Sequence, residues 1–203
     1  MSENLIELMN IDHMPTSGMI KTQKQDLLVH QVFLDEDISE PSKYRDLISL
    51  LYGADELDTF NIFINSGGGS ATAALAITEA ITSSQATVRA ILNGDCHSAA
   101  SIIALSCHEI VVTDSATMLI HTASFGAGGN THNIKGYVDF TAKQVNKTLD
   151  KFYKDFLSEH EMVEAKKGVD LWIDSDSIIE RLENRKAKLD AENAKPEKKK
   201  KKK

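Results

Sequence analysis

Apolar and polar positions along this chain switch between two periods, and the switches mark its elements. Phe60 to Ile64 (FNIFI) is a short, continuous apolar and β-branched run, the pattern of a buried strand. Ala71 to Ile81 (ATAALAITEAI) repeats at helical spacing instead, with Ala74, Ile77 and Ile81 on one face and Ser70 placed as a cap. Leu27 to Leu34 reads as an earlier strand, and Ser42 to Tyr52 as a helix whose apolar face is Leu47, Leu50 and Leu51. Ala86 to Leu92 alternates like a strand and runs through GDCH into a small-residue helix, Ser98 to Leu105. Glu109 to Val112 and Thr117 to His121 are two strand pieces divided by a DS turn. A long helical pattern from Asn133 to about Glu161 carries a stripe of Val138, Val145, Leu149, Phe152, Tyr153 and Phe156, and a further helical stretch ends at Gly168. Asp170 to Ile173 precedes a last helix, where Ser177 and Glu180 fit a capping box. Strands alternating with helices over short links predict an α/β fold with a mostly parallel sheet.

Length and composition add boundaries. The 203 residues suit one domain, at 25–183, between an N-terminal arm (1–24) without firm periodicity and a disordered, charged tail (184–203). The formal charge of −7 hides an asymmetry: without the six lysines Lys198 to Lys203, the rest carries −13. A chain this acidic is no basic nucleic-acid binder, the lysine tail apart. No apolar run is long enough to cross a membrane and the N-terminus has no secretory pattern, so a cytoplasmic address is expected. Two cysteines, Cys96 and Cys107, and seven scattered histidines show no metal-ligand spacing, so neither metal nor cofactor is expected.

Candidate chemistry lies at the turns. INSGGGS, residues 64 to 70, joins a strand to a helix and offers backbone N–H groups at a helix N-terminus, a setting that favours an anion. It lacks the Lys-Ser or Lys-Thr and the GxGxxG spacing of phosphate loops. Ser98 stands at a second strand-to-helix turn, His121 closes the strand TMLIH, and Asp170 follows the long helix. Each of these alone has an ordinary structural explanation. Together they contain a hydroxyl that needs a base, an imidazole that can serve as one, and a carboxylate that can fix the imidazole tautomer. The glycine turn would then supply oxyanion donors, its absent side chains making room for a substrate carbonyl.

INSGGGSATAALAI resembles the INSPGGS-type turn and helix of the ClpP family of serine peptidases. GDCHSAASIIAL is similar to that family's nucleophile segment, TMLIHTAS to its MIH histidine segment, and DLWIDSDSII to its D-x-F/W-L/I segment. The resemblance covers roughly Val32 to Leu182 and implies the ClpP/crotonase-like fold with a protruding strand-helix handle. It assigns Ser98 as nucleophile, His121 as general base and Asp170 as orienting acid, with Asp174 and Asp176 as competitors for the last role. Gly69 and Ala99 correspond to the oxyanion-hole donors, with Gly68 adjacent and able to share. Ser124, Phe125, Gly126, Ala127 and Gly128 correspond to a strand that receives an extended peptide by backbone pairing.

Implied with these are a homo-oligomer of heptameric, stacked rings, a peptide or unfolded-protein substrate, and ATP-independent cleavage by the subunit itself. Several positions depart from the family pattern. Gly67 replaces the turn proline, Cys96 and His97 replace small residues before the nucleophile, and His97 could compete with His121. Asn61 replaces an aromatic of the groove that docks a Clp-type ATPase, which argues against that partner although Phe63 keeps another aromatic. These departures and the lysine tail point to a phage-encoded, head-maturation type. Two alternatives stand beside the peptidase: a catalytically inactive ClpP-like structural subunit, and a crotonase-type acyl-CoA enzyme, against which the Ser-His pair speaks.

Overall fold

The protein is described here by a computed structural model, which covers residues 28–193. The expected arm at 1–24 and the lysine run lie outside the described residues. Strands β1 (Val29–Leu34), β2 (Thr59–Ser66) and β3 (Thr87–His97) lie parallel, side by side. β3 outruns its alternating stretch and continues through Gly94 to His97, which lets it pair with two neighbours in succession. The first is β4 (Glu109–Val112) and the second is β5 (Thr117–Ile120), both parallel to it. β6 (Leu171–Asp174) closes that edge, antiparallel to β5. The fold is mixed α/β with a mostly parallel sheet, as the alternation of elements predicts.

Helices α1 (Arg45–Gly53), α2 (Ala71–Ser83) and α3 (Ala99–Ser106) pack on one another in chain order. Beneath them Phe60, Ile62 and Ile64 of β2 and Val88, Ala90 and Leu92 of β3 are fully buried, joined by Ile77, Ile81 and Ile103 from the helices. Ser70 caps α2 as expected, its hydroxyl accepting from the Ala73 N–H at 3.2 Å. Ser42 caps nothing: Pro41 to Tyr44 form a 3₁₀ turn and α1 starts only at Arg45.

The FNIFI strand departs from its reading as buried. Only alternate residues are covered; Asn61 and Phe63 face the other side half-buried, where Phe63 stacks on the exposed Phe33 with ring centroids 5.0 Å apart. A parallel sheet ordinarily has both faces covered, whereas the helices here cover one. Asn61 is held on that open face by Arg89, which also bonds Glu109.

The predicted helix from Asn133 to Glu161 is two. α4 (Thr131–Tyr153) is capped by Asn130 and exposed over most of its length, burying only Leu149, Phe152 and Tyr153 near its end. The chain then turns Phe156 and Leu157 into the core and restarts as α5 (Glu159–Lys166). Ser158 dictates the restart: its hydroxyl accepts from the Glu161 N–H while the Glu161 carboxylate accepts from the Ser158 N–H, a reciprocal capping box. The box expected at Ser177 and Glu180 is absent, because the Asp174 carboxylate caps α6 (Ser175–Asn193) by accepting from the Ser177 N–H at 2.9 Å. α6 runs past residue 183 to Asn193, a helical start to the charged segment. The residues beyond 183 are good helix formers, and Arg185 anchors them by donating to the Leu105 carbonyl at 3.1 Å.

Residues Ser124 to Gly128, expected as a strand, form none; all five are exposed and in no ladder among the described residues. A strand needs a partner for its backbone groups, and this segment has none among the described residues.

Glu161 also grips Arg181 through two hydrogen bonds, of 2.7 and 2.9 Å. These bonds hold its carboxyl down to about 2 from 4.5. A depressed carboxyl stabilises the fold above its unfolded value, and that stability is lost as pH falls through the folded value. Glu161→Gln is therefore expected to cost about 1–3 kcal/mol at pH 7, with a deficit that shrinks as pH falls from about 4.5 to about 2. Chemical denaturation of both proteins at pH 7 and pH 2.5 checks this; an equal deficit at the two would reject it.

Candidate active site

The end of β3 bends because Gly94 makes room for Asn65, whose side chain packs where a Cβ would sit and accepts from the Asp95 N–H at 3.0 Å. Three residues later the chain reverses at Ser98, with φ 53° and ψ −120°, the one non-glycine residue of positive φ among those described. Such strain persists only where surrounding structure imposes it, and it is the geometry of a nucleophile elbow. Two partners impose it: the Ser98 N–H donates to the Leu119 carbonyl of β5 at 2.8 Å, and α3 behind it is buried along nearly its whole length.

The INSGGGS turn lies directly against this elbow. A Cβ on Gly68 would stand 2.6 Å from the His97 carbonyl oxygen, 2.8 Å from the Ser98 Cβ and 3.1 Å from the Ala99 nitrogen, and Gly68 has φ +97°. Gly69, at φ +135°, is bridged to Ile38 so closely that a Cβ would overlap the Ile38 backbone. The expected reason for the glycines is thus corrected: the space they leave is filled by the protein's own backbone, which brings the turn up to Ser98. Gly67 has no such crowding, its nearest atom being Asp37 Oδ1 at 3.7 Å.

The donors divide accordingly. The Gly68 N–H is taken by the Ser66 hydroxyl at 3.2 Å, and that hydroxyl in turn donates to the Glu36 carbonyl at 2.7 Å. The Gly69 and Ala99 N–H groups have no acceptor among the described residues. Two donors left free among the described residues, one in the turn packed on Ser98 and one at the N-terminus of α3, are the kind of group an oxyanion needs.

His121 and Asp170 come to the same edge through strand pairing. β5 and β6 pair antiparallel with Ile120 opposite Leu171, so the next pair outward is His121 and Asp170. Gly168, at φ +95°, turns the chain there, and its Cβ position is 4.0 Å from the Thr122 hydroxyl. His121 is half-buried and Asp170 exposed, and no hydrogen bond among the described residues joins the side chains of Ser98, His121 and Asp170. Of the competitors, Asp174 and His97 are engaged elsewhere. Asp174 caps α6, and its bonds with Ser177 hold its carboxyl below the usual range. The His97 ring lies 2.9 Å from the Thr117 hydroxyl and packs edge-on to Trp172. Burial pushes the thiols of Cys96 and Cys107 up, the latter to about 12, so neither is a thiolate at neutral pH.

Residues 17–181, well over half of the chain, match the Clp protease family. The chain belongs to the Clp protease family. That makes it, in general terms, a peptidase of the serine class in a family that forms oligomeric rings. A comparison with curated proteins finds no match. Among the described residues no helix is long and apolar enough to cross a membrane.

Proposed function

We propose that this Clp protease family member is a serine endopeptidase acting through Ser98, His121 and Asp170. The observation that carries the reading is the strained elbow at Ser98, with the Gly68–Gly69 turn packed against it and with the N–H groups of Gly69 and Ala99 lacking an acceptor among the described residues. His121 takes the Ser98 hydroxyl proton as the oxygen attacks a peptide carbonyl, and the oxyanion forms between the two N–H groups. The imidazolium returns the proton to the leaving amine. Water then attacks the acyl-enzyme by the same route, releasing the acid and restoring the serine. Asp170 accepts from the other ring nitrogen and holds the tautomer.

The backbone of Ser124 to Gly128, exposed and unpaired among the described residues, suits pairing with an extended peptide or unfolded chain. The open sheet face and the exposed α4 suit a homo-oligomer of stacked heptameric rings. Asn61 in place of an aromatic argues for work without a Clp-type ATPase. With the lysine tail and the Cys96-His97 pair, it motivates phage scaffold protein as the substrate class.

The missing hydrogen bonds among the three side chains are what an inactive structural subunit would also display. Labelling with a fluorophosphonate probe, with the adduct located by mass spectrometry, separates the two. Adduct on Ser98 is expected; protein shown by sedimentation to be assembled, yet carrying none, would overturn the peptidase reading in favour of the structural one.

A further inference from the structure

Beneath the elbow lies a buried polar chain that the mechanism above does not use. Ser101, on the first turn of α3, is fully buried and its hydroxyl donates to the Ser98 carbonyl at 2.7 Å. The same oxygen lies 2.7 Å from the phenol oxygen of Tyr153, 52 residues further on and itself 2% exposed. A serine hydroxyl has one proton. Since Ser101 gives its proton to Ser98, the Tyr153 phenol must be the donor to Ser101. The chain therefore has one direction, from Tyr153 to Ser101 to the Ser98 carbonyl, which also accepts the Ser101 N–H at 3.0 Å.

The Ser98 carbonyl and the Ala99 N–H belong to one peptide unit. That unit is planar and trans, so the N–H points opposite to the C=O. Clamping the carbonyl against Ser101 aims the Ala99 N–H out of the helix N-terminus, on the side of Gly68 and the candidate oxyanion site. Each bond received by the carbonyl also polarises the amide and strengthens its N–H as a donor, by roughly 10–30% per bond.

We propose that Ser101 and Tyr153 are positioning residues that orient and polarise the Ala99 N–H for the oxyanion, coupling the site to the last turn of α4. The inference rests on the peptidase reading and deepens it. Tyr153 is the only one of the two reached from outside α3, so it ties the strength of one oxyanion donor to how α4 seats on the core. A purely structural role would make the pair a satisfied buried hydrogen bond with no preference between substrate and transition state.

The test compares Tyr153→Phe and Ser101→Ala with wild type on a fluorogenic peptide, with the concentration of competent sites fixed by fluorophosphonate titration. Loss of a whole oxyanion donor costs about 10²–10³-fold in kcat. Weakening one through its partner is expected to cost about 5–30-fold in Tyr153→Phe, with KM within twofold and the titratable sites unchanged. Affinity for a peptidyl boronate, whose oxygen can occupy the oxyanion position, is expected to fall in parallel with kcat. The double variant should be no worse than Ser101→Ala alone, since each breaks the same chain. Unchanged kcat in Tyr153→Phe, or a loss that tracks the number of titratable sites, would overturn the proposal and leave the peptidase reading intact. Wild type that takes no probe would overturn both together.

Discussion

Ser98→Ala and His121→Ala are each expected to lower peptide turnover by roughly 10⁴–10⁶-fold, and the double variant to be little worse than either alone. The reason is that the two act as one unit: the hydroxyl is a poor nucleophile until the imidazole removes its proton, and the imidazole has nothing to do without the hydroxyl. What survives is catalysis by the oxyanion donors and by substrate positioning, which neither substitution touches. Each variant should keep the wild-type sedimentation coefficient, because Ser98 contributes to the fold through its backbone, its N–H held by Leu119 and its carbonyl by Ser101. Steady-state kinetics on one peptide for the three variants decides the matter. Losses that add on a logarithmic scale would show that the two residues act independently and would reject the pair as a nucleophile with its base.

The second large effect is expected at Gly68, whose own N–H is taken by the Ser66 hydroxyl. Gly68→Ala places a methyl group 2.6 Å from the His97 carbonyl and 2.8 Å from the Ser98 Cβ, and does so at a φ of +97°. All but one of the atoms it meets are backbone, and that one is a Cβ, so no rotamer can relieve the overlap; the turn must move away from the elbow. An displacement of about 1 Å in a catalytic array costs about 100-fold, and the Gly69 N–H moves with the turn. Activity should fall by at least about 100-fold while the protein stays folded. Gly67→Ala, one residue earlier with its nearest atom at 3.7 Å, is expected to stay within about threefold of wild type. Equal losses at the two positions would show that the turn, and not its approach to Ser98, is what the substitution damages.

Much of this arrangement was legible in sequence because it is local. Ser70 as the α2 cap and the strand-to-helix change of period at Ser98 depend on neighbours within a few residues, and both elements fall where the pattern puts them. The breaks in the pattern are equally instructive. The apolar stripe from Val138 to Phe156 reads as one helix, since periodicity does not register that Ser158 and Glu161 can start a new one while Phe156 and Leu157 turn inward. Ser177 and Glu180 have the right spacing for a capping box, yet Asp174 reaches the same N–H first. An isolated FNIFI run cannot tell a strand covered on both faces from one covered on a single face, because that depends on how many helices return to the sheet.

By itself the sequence determined the order of strands and helices, the glycine turn before its helix, and the succession of serine, histidine and aspartate, since each is written in residues adjacent along the chain. Tertiary structure alone decided the rest. It set the register that brings His121 and Asp170 to one edge, the approach of Gly68 to the Ser98 backbone, and the use of the Gly68 N–H by Ser66, while those of Gly69 and Ala99 are left free among the described residues. It also paired Ser101 with Tyr153 across 52 residues. These are contacts between segments distant in the chain, and which backbone donors stay unsatisfied is known only once every competing acceptor has found its place.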